Sequence, residues 1–197
     1  MRGENGDKGK EVRDYIAVLD TETNWENEVM SIGVVIADAA TLQAVDRKYY
    51  ILTPEYKVGG MFSYVLHLQD CEAVECCREE AMADLEDWLL RSGVTEIFAH
   101  NARFDYGHLE ELSSFCWYDI MRIAAYRQHN TKIPQTAACC KTGRLKCNYG
   151  VEPMLQMLRG DGNYRETHNA LFDALDELEI MRLLGLTMDT YACARLK

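Results

Sequence analysis

The stretch Asp14-Tyr15-Ile16-Ala17-Val18-Leu19-Asp20-Thr21-Glu22-Thr23 begins as an apolar run and ends in two acids. Residues 14–20 read as a buried strand that delivers its last residue to a sheet edge. Alternation along an extended chain puts Asp20 and Glu22 on the same side, so two carboxylates can converge on one cation. Acids at strand ends are also common as solvated surface, so the rest of the chain decides.

Working outward, residues 29–37 and 44–52 are two further β-rich runs, with a turn-like segment at 38–42 between them. Three closely spaced strands with short connections predict an antiparallel meander. The period then changes. Val74, Cys77, Met82, Leu85, Trp88 and Leu89 fall near helical spacing, and Gly93 follows as a stop. Short strands are expected at 96–99 and 116–121, each followed by a helical stretch, the first reaching Leu112 and the second covering about 122–129. A short helix is expected at 154–158, a turn at Gly160-Asp161-Gly162-Asn163, and a last helix at about 169–184. This predicts an α/β fold with a mixed central sheet, a three-strand antiparallel meander plus two further strands, flanked by helices.

With 197 residues and 48% hydrophobic content, the chain suits one well-buried core. Residues 1–13 read as a disordered polar lead and 14–197 as a single domain. No apolar run is long enough to span a bilayer, and the lead has no signal-peptide core. Eight cysteines in that context read as reduced thiols of a cytoplasmic protein. Neither Cys139-Cys140 with Cys147 nor Cys71 with Cys76-Cys77 has the paired spacing that marks a zinc site.

The net charge of −11 argues against a generic nucleic-acid binder. The charge is unevenly spread, however. Residues 120–151 contain no acid but six cations: Arg122, Arg127, Lys132, Lys141, Arg144 and Lys146. Such a stretch either handles a phosphate chain, with Lys141, Arg144 and Lys146 as the candidates, or is a solvated loop.

The string HNAxFD occurs twice, at residues 100–105 and 168–173. One copy follows an apolar strand and the other follows a turn and opens a helix, so they are convergent strings rather than a repeat. Asp173 in the first turn of the last helix could reach the point where Asp20 and Glu22 converge. Oxygen ligands of this kind select Mg²⁺ or Mn²⁺. His168 and Asp173, five apart, would point about 140° from each other on a regular helix. His168 is therefore expected just before the helix, on a loop, where it suits a general base or, in the plainer alternative, a helix cap. His100 is expected to fix local backbone.

Together these residues resemble the DEDDh subgroup of the DnaQ-like 3′–5′ exonuclease superfamily, which has a ribonuclease H-like fold. The D-x-E motif matches Asp20-Thr21-Glu22, the strand-plus-N-x-x-F-D motif matches residues 97–105, and H-x4-D matches His168 and Asp173. The resemblance covers about residues 14–185. It implies that Asp20, Glu22, Asp105 and Asp173 hold two divalent metal ions, Mg²⁺ or Mn²⁺, and that His168 takes a proton from the attacking water. It places Thr23, Asn101 and Phe104 at the substrate. Trp25 would either stack on a base or, in its more ordinary use, anchor the core. The chain departs from common members by Asn24 where they carry glycine, and by His67-Leu68-Gln69 where they carry His-Gly-Ile.

The expected activity is 3′–5′ exonucleolytic hydrolysis of single-stranded or short DNA or RNA, releasing nucleoside 5′-monophosphates. The alternatives are a non-catalytic nucleic-acid-binding module of the same fold and an accessory proofreading subunit. A homodimer, or a polymerase partner acting in trans, would accompany such roles.

Overall fold

The structure is a computed structural model that describes residues 14–68 and 71–197; the expected lead at 1–13 lies outside the described residues. A six-stranded sheet runs through it in the order β4-β3-β2-β1-β5-β6. Its strands are β1 (Tyr15–Thr23), β2 (Val29–Asp38), β3 (Ala44–Leu52), β4 (Val74–Cys76), β5 (Glu96–Ala99) and β6 (Cys116–Asp119). The first three form the expected antiparallel meander, and β5 and β6 continue the sheet in parallel with β1. The α/β class and mixed sheet are as the sequence predicts, with one strand more. Val74 belongs to β4, which pairs in parallel with β3, and α1 (Arg78–Arg91) starts only after Cys77.

Two layers cover the sheet. Ala17 and Leu19 point to the side packed by Leu85, Trp88 and Leu89 of α1. Ile16 and Val18 point the other way, to α4 (Val151–Arg159) and α5 (Ala170–Leu184). Asp20 and Glu22 share the parity of Ile16 and Val18, and so the α5 side of the sheet. The shorter helices are α2 (Arg103–His108), α3 (Met121–Ala124) and α6 (Met188–Tyr191). Between α3 and α4 the basic stretch is irregular, pinned by single bridges such as Tyr126 to Arg144. Among the described residues no helix is long and apolar enough to cross a membrane.

Two features set the site's position. β1 pairs with β5 only at Ala17 and Val18, so its last residues run past the end of β5 toward the turn that opens α2. Parallel strands carry their C-terminal ends to the same sheet edge, and β1 is where the connections diverge, which is where ligands of open α/β sheets gather. Second, Gly33 of β2 lies opposite Asp20. A Cβ built there would sit 2.2 Å from the backbone of Ala170 and Leu171. The missing side chain lets the start of α5 lie directly on the sheet beside Asp20.

Candidate active site

Asn169 starts α5. Its side-chain oxygen accepts from the backbone N–H groups of Leu171 and Phe172, and its amide donates to the Tyr49 hydroxyl and the Val65 carbonyl. The cap is therefore Asn169 and not His168, and it is tied to the sheet and the following loop. His168 lies outside the helix with a left-handed backbone, φ 57°. This turn brings it to the acids. Glu22, His168 and Asp173 each offer one ligand atom, and these atoms all lie within 4.8 Å of one another.

In the first HNAxFD copy the left-handed residue is Asn101, φ 66°, so the two strings have different backbones. The carboxylate of Asp119 accepts the N–H groups of Asn101 and Met121 and holds that turn. Asp105, in α2, accepts a 2.7 Å hydrogen bond from the Thr21 hydroxyl, across the sheet edge from Asp20 and Glu22. The Nε2 of His100 is 2.6 Å from the carbonyl of Tyr149, so this histidine tethers the end of the basic stretch to β5.

Burial first, and then their neighbours' charges, raise the acids above the usual carboxylate range. Burial, then the charge of Glu166, push Glu22 up to about 8 and Asp173 to about 9. Burial pushes Asp105 to about 7 against the hydrogen bond from Thr21. Asp20 is held well above the usual carboxylate range by burial and by Glu177, Asp105, Asp173 and Glu22. The Oδ1 of the buried Asp173 has no hydrogen-bond partner. Oxygen-rich, mutually repelling and incompletely paired, this set fits a hard divalent cation. Burial holds His168 below the ordinary histidine value, which leaves its imidazole neutral at pH 7.

Trp25 is 68% exposed and is no core anchor; its backbone N–H donates to the Gly59 carbonyl. Asn24 is buried and builds this turn, accepting from the N–H groups of Glu26 and Glu28. Thr23 is half-buried beside Gly60, and Phe104 is exposed against His108. His67 pairs with Glu75 at 3.6 Å. The ring stacked on His168 is Phe62, with centroids 3.9 Å apart.

Of the basic candidates, Arg144 lines a cavity of about 290 Å³ with Asn101, Arg103, Asp119, Arg122 and Tyr149, in which Arg122 faces the Asp119 carboxylate at 3.6 Å. Lys141 and Lys146 are exposed outside it. Arg127 is structural, its guanidinium donating to the carbonyls of Pro134, Gln135 and Ala137. Arg103 carries no motif signature and is legible only from its place two residues before Asp105. Glu166 and Glu177 also escape the motif reading, although Glu177 lies one helical turn beyond Asp173.

No protein-family model matches the sequence, and no curated protein matches it. Solved structures do match. One is the nuclease domain of 3′hExo, a DEDDh family member, bound to rAMP: 17% identity, TM-score 0.56, covering 94% of this chain and 96% of that one. Another is a 3′-exonuclease in 3′-end-specific recognition of a histone mRNA stem-loop: 16% identity, TM-score 0.59, covering 88% of this chain and 65% of that one. A third is E. coli ExoI in a zinc-bound complex with single-stranded DNA: 11% identity, TM-score 0.60, with 87% of this chain spanning 40% of that one. At these identities the likeness is one of fold. The chain has the fold of the DEDDh 3′-exonucleases.

Proposed function

We propose that the protein is a divalent-metal-dependent 3′–5′ exonuclease that hydrolyses the terminal phosphodiester of single-stranded or short nucleic acid. The observation that carries this reading is the meeting of Glu22, His168 and Asp173 within 4.8 Å, from distant parts of the chain. Asp20 and Asp105 add their charges at the same sheet edge.

Asp20, Glu22, Asp105 and Asp173 would hold two ions, Mg²⁺ or Mn²⁺. Such ions would supply positive charge to the attacking and leaving oxygens of an in-line displacement. His168, neutral at pH 7 and on a loop beside the acids, takes the proton of the attacking water. Phe62 packs flat on its ring and limits where that ring can go. The Arg103, Arg122 and Arg144 cavity suits a backbone phosphate of the same strand, and the acidic body elsewhere disfavours tracking along a long duplex.

The test is incubation of the purified protein with 5′-labelled single-stranded DNA and RNA, in EDTA and with Mg²⁺ or Mn²⁺ restored. The expected result is stepwise shortening from the 3′ end and nucleoside 5′-monophosphate as product, only with metal. Full turnover in excess EDTA would overturn the metal reading. Binding without any cleavage would place the chain with the non-catalytic modules.

A further inference from the structure

Glu177 is 1% exposed, on the same buried face of α5 as Asp173, Ala174 and Met181. Residues four apart on a helix lie one above the other, so Asp173 and Glu177 point the same way. Each has a buried oxygen with no hydrogen-bond partner, Oδ1 of Asp173 and Oε2 of Glu177. The charged groups facing Glu177 are all acids, Asp105 and Asp173 first and then Glu166, and the backbone N–H of His100 is its favourable neighbour. Among the described residues no lysine or arginine pairs with it.

A core position of this kind is ordinarily filled by an aliphatic side chain, since a buried carboxylate without a cationic partner is costly. Here the carboxylate is kept among other carboxylates, Asp20 included, and one of its oxygens is left unpaired. We propose that Glu177 is a fifth carboxylate of the metal site, adding its charge to those of Asp20, Asp105 and Asp173 from the buried face of α5. The inference rests on the metal-site reading above and extends it by one residue that the D-x-E, N-x-x-F-D and H-x4-D motifs do not include.

The test is calorimetric titration of substrate-free protein with Mn²⁺, and separately with Ca²⁺, for the parent, Glu177→Gln and Glu177→Met. Glutamine keeps an acceptor for the His100 amide and loses only the charge; methionine replaces the carboxylate by an apolar chain of similar length. Both are expected to bind Mn²⁺ about 10- to 100-fold more weakly than the parent. In EDTA both should melt higher than the parent, because folding no longer has to bury or neutralise that carboxylate. A purely structural role predicts unchanged Mn²⁺ affinity for glutamine. Parent-like affinity in a folded variant would overturn the inference while leaving the metal site standing. Failure of the parent itself to bind either cation would overturn both.

Discussion

Asp20 and Gly33 face each other across the β1–β2 ladder, and the space above Gly33 is filled by the first peptide of α5. One residue of the pair supplies an acid, and the other supplies room for the helix that carries the next. Gly33→Ala is therefore expected to push α5 away from β1. Overpacking of this kind costs about 1–3 kcal/mol, and more where backbone is the obstacle. A denaturant melt should report the destabilisation. Mn²⁺ affinity should fall with it, and an alanine variant as stable as the parent would show that α5 can shift freely.

The acids give the metal-free protein an unusual pH dependence. A carboxyl whose pKa is raised on folding binds more protons folded than unfolded, so its contribution is full below the unfolded value and is lost as pH rises through the folded one. Asp105 and Glu166 at about 7, Glu22 at about 8 and Asp173 at about 9 place that loss between roughly pH 5 and pH 9. The ion-paired Asp84, Glu111 and Glu179 are held low by Lys48, Arg78 and Arg159, and act in the opposite sense only at more acid pH. His100 and His168, both lowered by burial, oppose the loss up to the ordinary histidine value. In EDTA the melting temperature should therefore fall from about pH 7 to pH 9, and saturating Mg²⁺ should flatten the fall. A melting temperature that rises over this range in EDTA would contradict the cluster's electrostatics.

The two histidines of the HNAxFD strings should separate cleanly. His168→Ala is expected to lower turnover about 10²-fold or more, as for a missing general base, with little change in melting temperature. His100→Ala removes the hydrogen bond to the Tyr149 carbonyl and should cost stability first. A folded but inactive His100 variant, beside a fully active His168 variant, would exchange the two roles.

The cavity divides the basic candidates. Arg103→Gln with Arg144→Gln should weaken binding of oligonucleotides of every sequence alike, because groups that hold phosphates carry no base information. The slope of log affinity against log salt should fall by about 0.7 for each single-strand phosphate that is no longer neutralised. Lys141→Ala with Lys146→Ala should leave the slope nearly unchanged, since these side chains stand outside the cavity. Equal effects in both double variants would make the stretch a diffuse surface field instead.

Much of the architecture was legible because its signals are local. β3 and β5 have the predicted bounds, and β2 runs one residue further. β1 runs three residues past Asp20 because β2 pairs with it as far as Thr23, which only the partner strand decides. β4 is three residues long, too short to show alternation, and Val74 and Cys77 happen to match a helical spacing. At the candidate site, Asp20, Glu22, Asp105, His168 and Asp173 are picked out by motif. Gly33 does not, because a glycine within a strand reads as weakness until the helix above it is known. Glu177 hides in the run Asp176-Glu177-Leu178-Glu179, where an acid is taken for a solvated face. Trp25 illustrates the converse: its size suggests the core, but a turn built by Asn24 leaves it outside.

The long sequence separation between β1, β5 and α5 has a kinetic consequence. β1 and β2 can pair early as chain neighbours, but the other edge of β1 waits for residues 97 and 98, and α5 arrives from the far end of the chain. Such distant pairings come late in folding. The carboxylates are thus brought together only when the last helix docks, and partly folded chains do not feel their repulsion. A divalent cation should accordingly act on the unfolding arm of a chevron, slowing escape from the native state while leaving the rate of early assembly alone.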